Sequence, residues 1–477
     1  LDTSVLFDVA ALYASGALTG VSEAFGVHEV SSQISPFVIS ADPSVQSGSG
    51  VDLTGGGSTA ASSSISPTSA TAITSAPLDP KLLTALSGSD LFVELTLEPA
   101  SEISTFAAEN PKAIKSIAIN PPSAVAVSGL WADAPAKAKK ALIASAPELV
   151  GNLEGVPFAV RDQANRLYLD RTIAALTKKV DAGVGRAALV EDRHHLNVLN
   201  QVKRTLVKGK GDSSRHLLTL DTSGEARAAV VVGDLSKADY VSYLVPGMFF
   251  TVQGQMYDWT VIAQDLQHEQ TSWIKRLSAT DASMKGKTAA TVSWIGYSTP
   301  GVLDIASLKK ADEGATYLGD SITGMKATRA ASEPYVTLVT HSYGSTAAMI
   351  ELAKGGVSVD ALAIVGSPGS AAQKASQLAV ANDNVYVGEA ALDPVVNTAF
   401  YGSDPGTASF GAKKMDVAGG IDAVTHKKLT AAVGHLGYFD AGSAAMRNFA
   451  LIGLGEGSLV TDGTLADATR TVAGAGK

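Results

Sequence analysis

The chain has 477 residues, 45% of them hydrophobic and 17% charged, with a formal net charge of −9, a globular composition with ample material for a large core. An acidic protein of this kind is a poor match for nucleic acid or an anionic membrane surface. With no cysteine, disulfides, thiolate metal sites and a cysteine nucleophile are excluded, and no apolar run is long enough to span a bilayer.

Residues 1–43 contain LFDVAALYASGAL and SEAFGVHEV, which read as one or two short helices in an N-terminal arm. Because residue 1 is Leu, the numbered chain is expected to be a processed or trimmed product. Residues 44–76 are rich in Ser, Thr, Gly and Ala, with little to pack and high backbone entropy, and read as a linker or long exposed loop. Uncharged linkers of this type are common in secreted proteins, so the expected location is the cell envelope or outside the cell, with the cytoplasm as the alternative.

From residue 77 to 210 short helical periods are broken by Pro and Gly, as in PKLLTALSGSDLFVELTL and AKAKKALIASAPELV, predicting a helical region that packs on or caps the C-terminal domain. A helix from about Pro157 carries Arg161, Asp162, Asn165 and Arg166 at helical spacing. That set is either a charged outer face or a docking surface for the helical region.

Residues 211–477 change to strand periodicity. HLLTL and ARAAVVVGD flank a turn at DTSGE and predict a hairpin; YVSYLVPG predicts a third strand closed by a Pro-Gly turn. A helix is expected from about Asp258 to Ser278, a strand at TVSWIGY, and a helix from Ser307 to Ala331. Strands then recur at YVTLVTH, ALAIVGSPGS and NVYVGEAALDPV, with a helix from Ser345 to Lys354 between the first two and another at SAAMRNFAL. Strands alternating with helices after an initial hairpin predict an α/β fold with a mostly parallel sheet.

The sharpest signal is THSYGS, where Ser342 sits between a buried strand and a small-residue helix. A serine there is held in a strained turn that lifts its hydroxyl clear of the sheet, the geometry of a nucleophile elbow. The usual GxSxG pattern keeps its second glycine as Gly344, while Thr340 replaces the first. A serine hydroxyl needs a base within hydrogen-bond reach and a carboxylate to orient that base. Asp393, just after a strand and fixed by Pro394, is the favoured acid over Glu389, Asp404 and Asp440. For the base, His435 on a glycine-flanked loop is favoured over His426. His341 is expected to be structural, and a buried imidazole there would need a hydrogen-bond partner.

An oxyanion formed on acyl attack needs preorganised N–H donors. Those expected are Tyr343, directly after the nucleophile, and Met248, or else Phe249, in the loop after the third strand. Met248, Phe249 and Phe250 read equally as cleft lining that favours an apolar acyl group or as core, and Phe249, Phe250 and Tyr438 are the residues expected to bind substrate. YGSDPGTASFGA, with Asp404 and Phe410, reads equally as a loop over the site or a structural turn. No cofactor and no metal is implied: His194 and His195 are adjacent on a helix and point in different directions, and GLGEGS follows a helix, unlike a phosphate loop.

The ordered set VGNLEGVPFAVRDQANR, GDLSKADYVSYLVPGM, SWIGY, THSYGS, IVGSPG, LDPV, YGSDPGTASFGA and HLGYFD resembles the actinobacterial α/β-hydrolase family that carries the domain of unknown function DUF1023. The likeness runs over roughly residues 100 to 455. It implies an α/β-hydrolase fold and a serine hydrolase using Ser342, Asp393 and His435, without supplying a substrate. The expected activity is hydrolysis of a small-molecule or lipid-like carboxylic ester. Alternatives are a lipase, thioesterase, amidase or acyltransferase at the same site and, from another class, a non-catalytic envelope or assembly protein retaining the fold.

Overall fold

The computed structural model describes residues 80–463, apart from residues 184 and 302–303. The expected arm and linker, residues 1–76, lie outside the described residues. Among the described residues seven short helices come first: α1 (Pro80–Leu83), α2 (Gly88–Leu95), α3 (Ala100–Glu109), α4 (Pro111–Ile119), α5 (Ala124–Asp133), α6 (Ala136–Ser145) and α7 (Pro147–Asn152). Proline stands in the first turn of α4 and α7, where its missing N–H has no acceptor to lose. Leu91, Phe92, Ile103, Val127, Trp131 and Leu142 form the buried centre of this region. Two longer helices come next, α8 (Phe158–Ala182) and α9 (Arg186–Thr205).

The sheet begins with β1 (Arg215–Asp221), β2 (Arg227–Val232) and β3 (Tyr240–Val245), then α10 (Val252–Leu277) and β4 (Ala289–Ile295). After α11 (Lys309–Thr328) come β5 (Tyr335–His341), α12 (Tyr343–Lys354), β6 (Ala361–Val365), β7 (Val385–Gly388), β8 (Lys413–Lys414) and α13 (Ala444–Ile452). The strand order is β1-β2-β4-β3-β5-β6-β7-β8. β1–β2 and β2–β4 are antiparallel, and every later pair is parallel. The strands from β2 to β7 are almost wholly buried, as a sheet with both faces covered by helices requires. One face packs on α10 and α13 through Trp259, Leu266 and Phe449. The other packs on α11 and α12 through Leu318, Ile322 and Ala347.

Arg161, Asp162, Asn165 and Arg166 prove to be a docking surface. β1 is an edge strand, whose outer N–H and C=O groups would otherwise lack partners. Asn152 accepts from Leu220 N–H at 2.9 Å and donates to its carbonyl at 2.8 Å. Asp162 accepts from Leu217 N–H at 2.6 Å, while Asn165 and Arg166 donate to the carbonyls of Leu217 and Arg215 at 3.1 and 2.7 Å. Arg161, 1% exposed, pairs with Glu154 at 2.5 Å and donates to the Gly151 carbonyl. Side chains from α7 and α8 therefore take the place of a ninth strand.

Two helices begin earlier than periodicity predicts. α10 starts at Val252 instead of Asp258 because Thr251 accepts from Gly254 N–H at 3.0 Å and Gln255 accepts from Thr251 N–H at 2.8 Å, a reciprocal cap hidden in an apolar stretch. α12 starts at Tyr343, immediately after Ser342, and ends at Gly355 with φ 73°, the left-handed C-terminal stop expected of glycine.

Candidate active site

The carboxyl ends of β3, β5, β6 and β7 lie along one edge of the parallel sheet, the usual place for chemistry in such folds. In register, Val245 faces Thr340 and His341 faces Val365, so the loops leaving β3 and β6 flank the turn at Ser342. Ser342 has φ 54° and ψ −132°, a conformation that non-glycine residues seldom adopt. Its N–H donates to the Val365 carbonyl at 3.0 Å, and its own carbonyl accepts from Ser345 Oγ at 2.6 Å. Thr340, standing where the pattern has glycine, is accommodated because its hydroxyl donates to the Ala363 carbonyl at 3.0 Å.

Close backbone approach has three glycines behind it. A Cβ on Gly247 would lie 2.5 Å from Ser342 Cβ and 3.0 Å from its Oγ. One on Gly366, where φ is 57°, would lie 3.0 Å from both Asp393 Oδ2 and His435 Cε1. One on Gly344 would run into the Pro246 carbonyl.

Within this cradle Ser342, His435 and Asp393 come together. His435 Nε2 is 2.8 Å from Ser342 Oγ, and His435 Nδ1 is 2.9 Å from Asp393 Oδ1. An ionised carboxylate only accepts, so Nδ1 carries the proton and Nε2 is the acceptor for the serine hydroxyl. Ser342 is fully buried, and the His435 and Asp393 side chains are 8% and 0% exposed. Burial pushes the Asp393 carboxyl up, but hydrogen bonds from His435, Tyr438 and the Val395 N–H outweigh it and hold the group below its ordinary value. Glu389, Asp404, Asp440 and His426 take no part in this run of bonds; Asp404 instead accepts from Gly406 N–H at 2.9 Å within its own turn.

Tyr343 is the first residue of α12, where a backbone N–H has no intrahelical acceptor. Met248 lies one residue beyond Gly247, on the loop that meets Ser342, while the neighbouring Phe249 N–H donates to the Pro300 carbonyl at 3.3 Å. The expected lining divides. Phe249 is half-buried with φ 64°. Phe250 is 5% exposed and packs edge-on against Trp259 at 5.0 Å, which makes it core. Tyr438 also leaves the lining: fully buried, it donates to Asp393 Oδ2 at 2.6 Å and accepts from Ala390 N–H at 2.9 Å. Its place three residues after His435 was the available signal for a partner of the acid. Phe410 is 2% exposed and belongs to the core, while Tyr401, at the start of the same segment, meets the Tyr343 ring edge-on at 5.5 Å.

His341 was expected to need a partner, and it has one. Its Nε2 is 2.7 Å from the His435 backbone carbonyl. Its Nδ1 is buried without a hydrogen-bond partner, an omission that costs about 1–3 kcal/mol. Burial first, and then the charge that His435 carries whenever it is protonated, push its pKa down to about 3. Among the described residues no group of three or more His, Asp or Glu side chains is placed to hold a metal ion, and no helix is long and apolar enough to cross a membrane.

A sequence profile of the family described as Alpha/beta hydrolase matches residues 221–403. An uncharacterised protein of Mycobacterium tuberculosis strain H37Rv is 26% identical over 403 residues, covering 73% of this chain and 59% of its own length. One of Mycobacterium bovis is 29% identical over 237 residues, covering 48% of this chain and 82% of its own. The chain thus spans about three-fifths of the first of these relatives. Among solved structures, carboxyl esterase 2 of Tuber melanosporum is 10% identical, covering 53% of this chain and 90% of its own, and a Pyrobaculum calidifontis esterase is 10% identical, covering 58% and 94%. Both have TM-scores of 0.31 and bear on neither fold nor chemistry. The profile match, the mostly parallel sheet with helices on both faces and the strand–turn–helix at Ser342 together identify an α/β-hydrolase fold, preceded by a helical region.

Proposed function

We propose that the protein is a serine hydrolase that cleaves carboxylic esters with an apolar acyl group through an acyl-enzyme on Ser342. The observation that carries this reading is the unbroken run of hydrogen bonds from Ser342 Oγ through His435 to the buried Asp393, set on a strained turn. His435 Nε2 takes the hydroxyl proton as Oγ bonds to the ester carbonyl carbon. The negative charge moves to the carbonyl oxygen, facing the Tyr343 and Met248 N–H groups. Collapse breaks the bond to the alcohol, which leaves with the proton from His435. A water then gives a proton to His435, attacks the acyl carbon and releases the acid, returning the proton to Ser342.

The preference for an apolar acyl group rests on Phe249, half-buried beside the loop that meets Ser342. Ser342 itself has no exposed surface, so an acyl group reaches its Oγ only once the groups that cover it are displaced.

Turnover of matched ester, thioester and amide substrates, with rapid-quench detection of a burst, tests the reading. Ester hydrolysis with a burst that disappears in Ser342→Ala is expected. Faster thioester or amide cleavage would redirect the substrate class, and no turnover by folded protein would favour a non-catalytic role.

A further inference from the structure

We propose that His341 is a positioning residue: its ring N–H ties the main chain of His435 to the strand that carries Ser342. This rests on the assignment of Ser342 as nucleophile and His435 as base. His435 stands on a loop between Gly434, with φ 67°, and Gly437, and such a loop has little stiffness of its own. Two contacts hold its backbone. Gly434 N–H donates to the Ala391 carbonyl at 2.8 Å, which fixes the loop to the segment carrying Asp393. The His435 carbonyl accepts from His341 Nε2 at 2.7 Å, which fixes it to the residue next to the nucleophile. The segments carrying acid, base and nucleophile are thereby joined a second time, at the backbone of the His435 loop, independently of the hydrogen bonds that run from Ser342 to Asp393.

The tautomer is set by the partner. A carbonyl only accepts, so Nε2 carries the hydrogen and Nδ1 is left as a lone pair. Nδ1 is buried and unpartnered, and the ring is 2% exposed. The two imidazoles lie 4.5 Å apart, and Phe439 meets His341 edge-on at 5.6 Å. Burial keeps His341 neutral, with its pKa pushed down to about 3. It therefore adds no positive charge beside a base that must accept a proton.

A purely space-filling ring would need only the right shape, whereas a tether needs the N–H. His341→Gln and His341→Met separate the two, since both side chains have similar length and only the amide donates. The tether predicts that Gln keeps kcat within about fivefold of the original, while Met lowers it about 30- to 100-fold with KM little changed, the scale expected for loss of positioning. The two variants should melt within a few degrees of each other. Equal kcat for folded Gln and Met variants would overturn the proposal.

If the Met variant does not fold, 15N NMR of the histidines in the unaltered protein decides, with the His341 signals assigned by their loss in His341→Gln. A ring protonated at Nε2 alone supports the tether; a proton on Nδ1 alone overturns it. A fluorophosphonate probe applied to the unaltered protein keeps the two ideas apart. Labelling of Ser342 with equal Gln and Met rates removes only the tether, whereas absence of labelling removes the parent assignment.

Discussion

Gly247→Ala tests whether the loop after β3 is held against the nucleophile. The added Cβ would stand 2.5 Å from Ser342 Cβ, 3.0 Å from Oγ and 3.2 Å from the His341 carbonyl. Ordinary contact begins at 3.4 Å, so the loop or the elbow must shift by about 1 Å. The elbow is pinned on both sides, by the Ser342 N–H to the Val365 carbonyl and by Ser345 Oγ to the Ser342 carbonyl, so the loop carrying Met248 yields. A displacement of about 1 Å in a reacting group costs on the order of 100-fold in rate, or about 2.7 kcal/mol of transition-state stabilisation. Overpacking of the site costs a further 1–3 kcal/mol, roughly, in stability. The assay is kcat/KM on a chromogenic ester together with a denaturation curve. Unchanged activity in a variant of unchanged stability would refute the placement of this loop.

Tyr438→Phe removes the hydroxyl shared by Asp393 and the Ala390 N–H, so we expect about a tenfold fall in kcat and about 1–3 kcal/mol of lost stability. Because the Asp393 carboxyl is held below 3.8, its contribution is present above that pH and is lost as the pH falls below it; acid unfolding of the Phe variant should begin at higher pH. His341 behaves similarly in a different window. With an ordinary value of 6.5 and a buried value of about 3, its folded form refuses a proton that the unfolded chain accepts, so stability on the order of 3–5 kcal/mol is lost between those limits as pH falls. The midpoint of denaturation measured from pH 7 to 4 should therefore fall less steeply in His341→Gln; parallel slopes would contradict this. Arg161→Ala removes the guanidinium that pairs with the partly exposed Glu154 and reaches Thr219 on β1, and should cost about 1–3 kcal/mol in chemical denaturation, with a loss under about 0.5 kcal/mol counting against the docking role of α8.

The parts of the fold that depend on periodicity were legible. Buried apolar runs gave the strands from the hairpin to β7, and THSYGS marked the turn because strand, small residues and helix coincide there. Ser342, Asp393 and His435, far apart in sequence, were singled out as one set, and their side chains meet at 2.8 and 2.9 Å. What periodicity could not give is which polar atoms pair. An aromatic letter at Tyr438 does not show that its hydroxyl donates to Asp393, and one at Phe250 does not show that its ring packs on Trp259. The cap at Thr251 was masked by the apolar letters around it. Arg161, Asp162, Asn165 and Arg166 could be a solvated face or a dock, because helical spacing alone does not say what lies opposite; the unpaired edge of β1 does.

Labelling with a fluorophosphonate, followed by intact-mass and peptide analysis, probes the reactivity of the buried hydroxyl itself. One adduct per chain is expected, on the peptide containing Ser342, absent in Ser342→Ala and strongly reduced in His435→Ala. A folded protein that acquires no adduct, or acquires it on another residue, would contradict a nucleophilic role for Ser342.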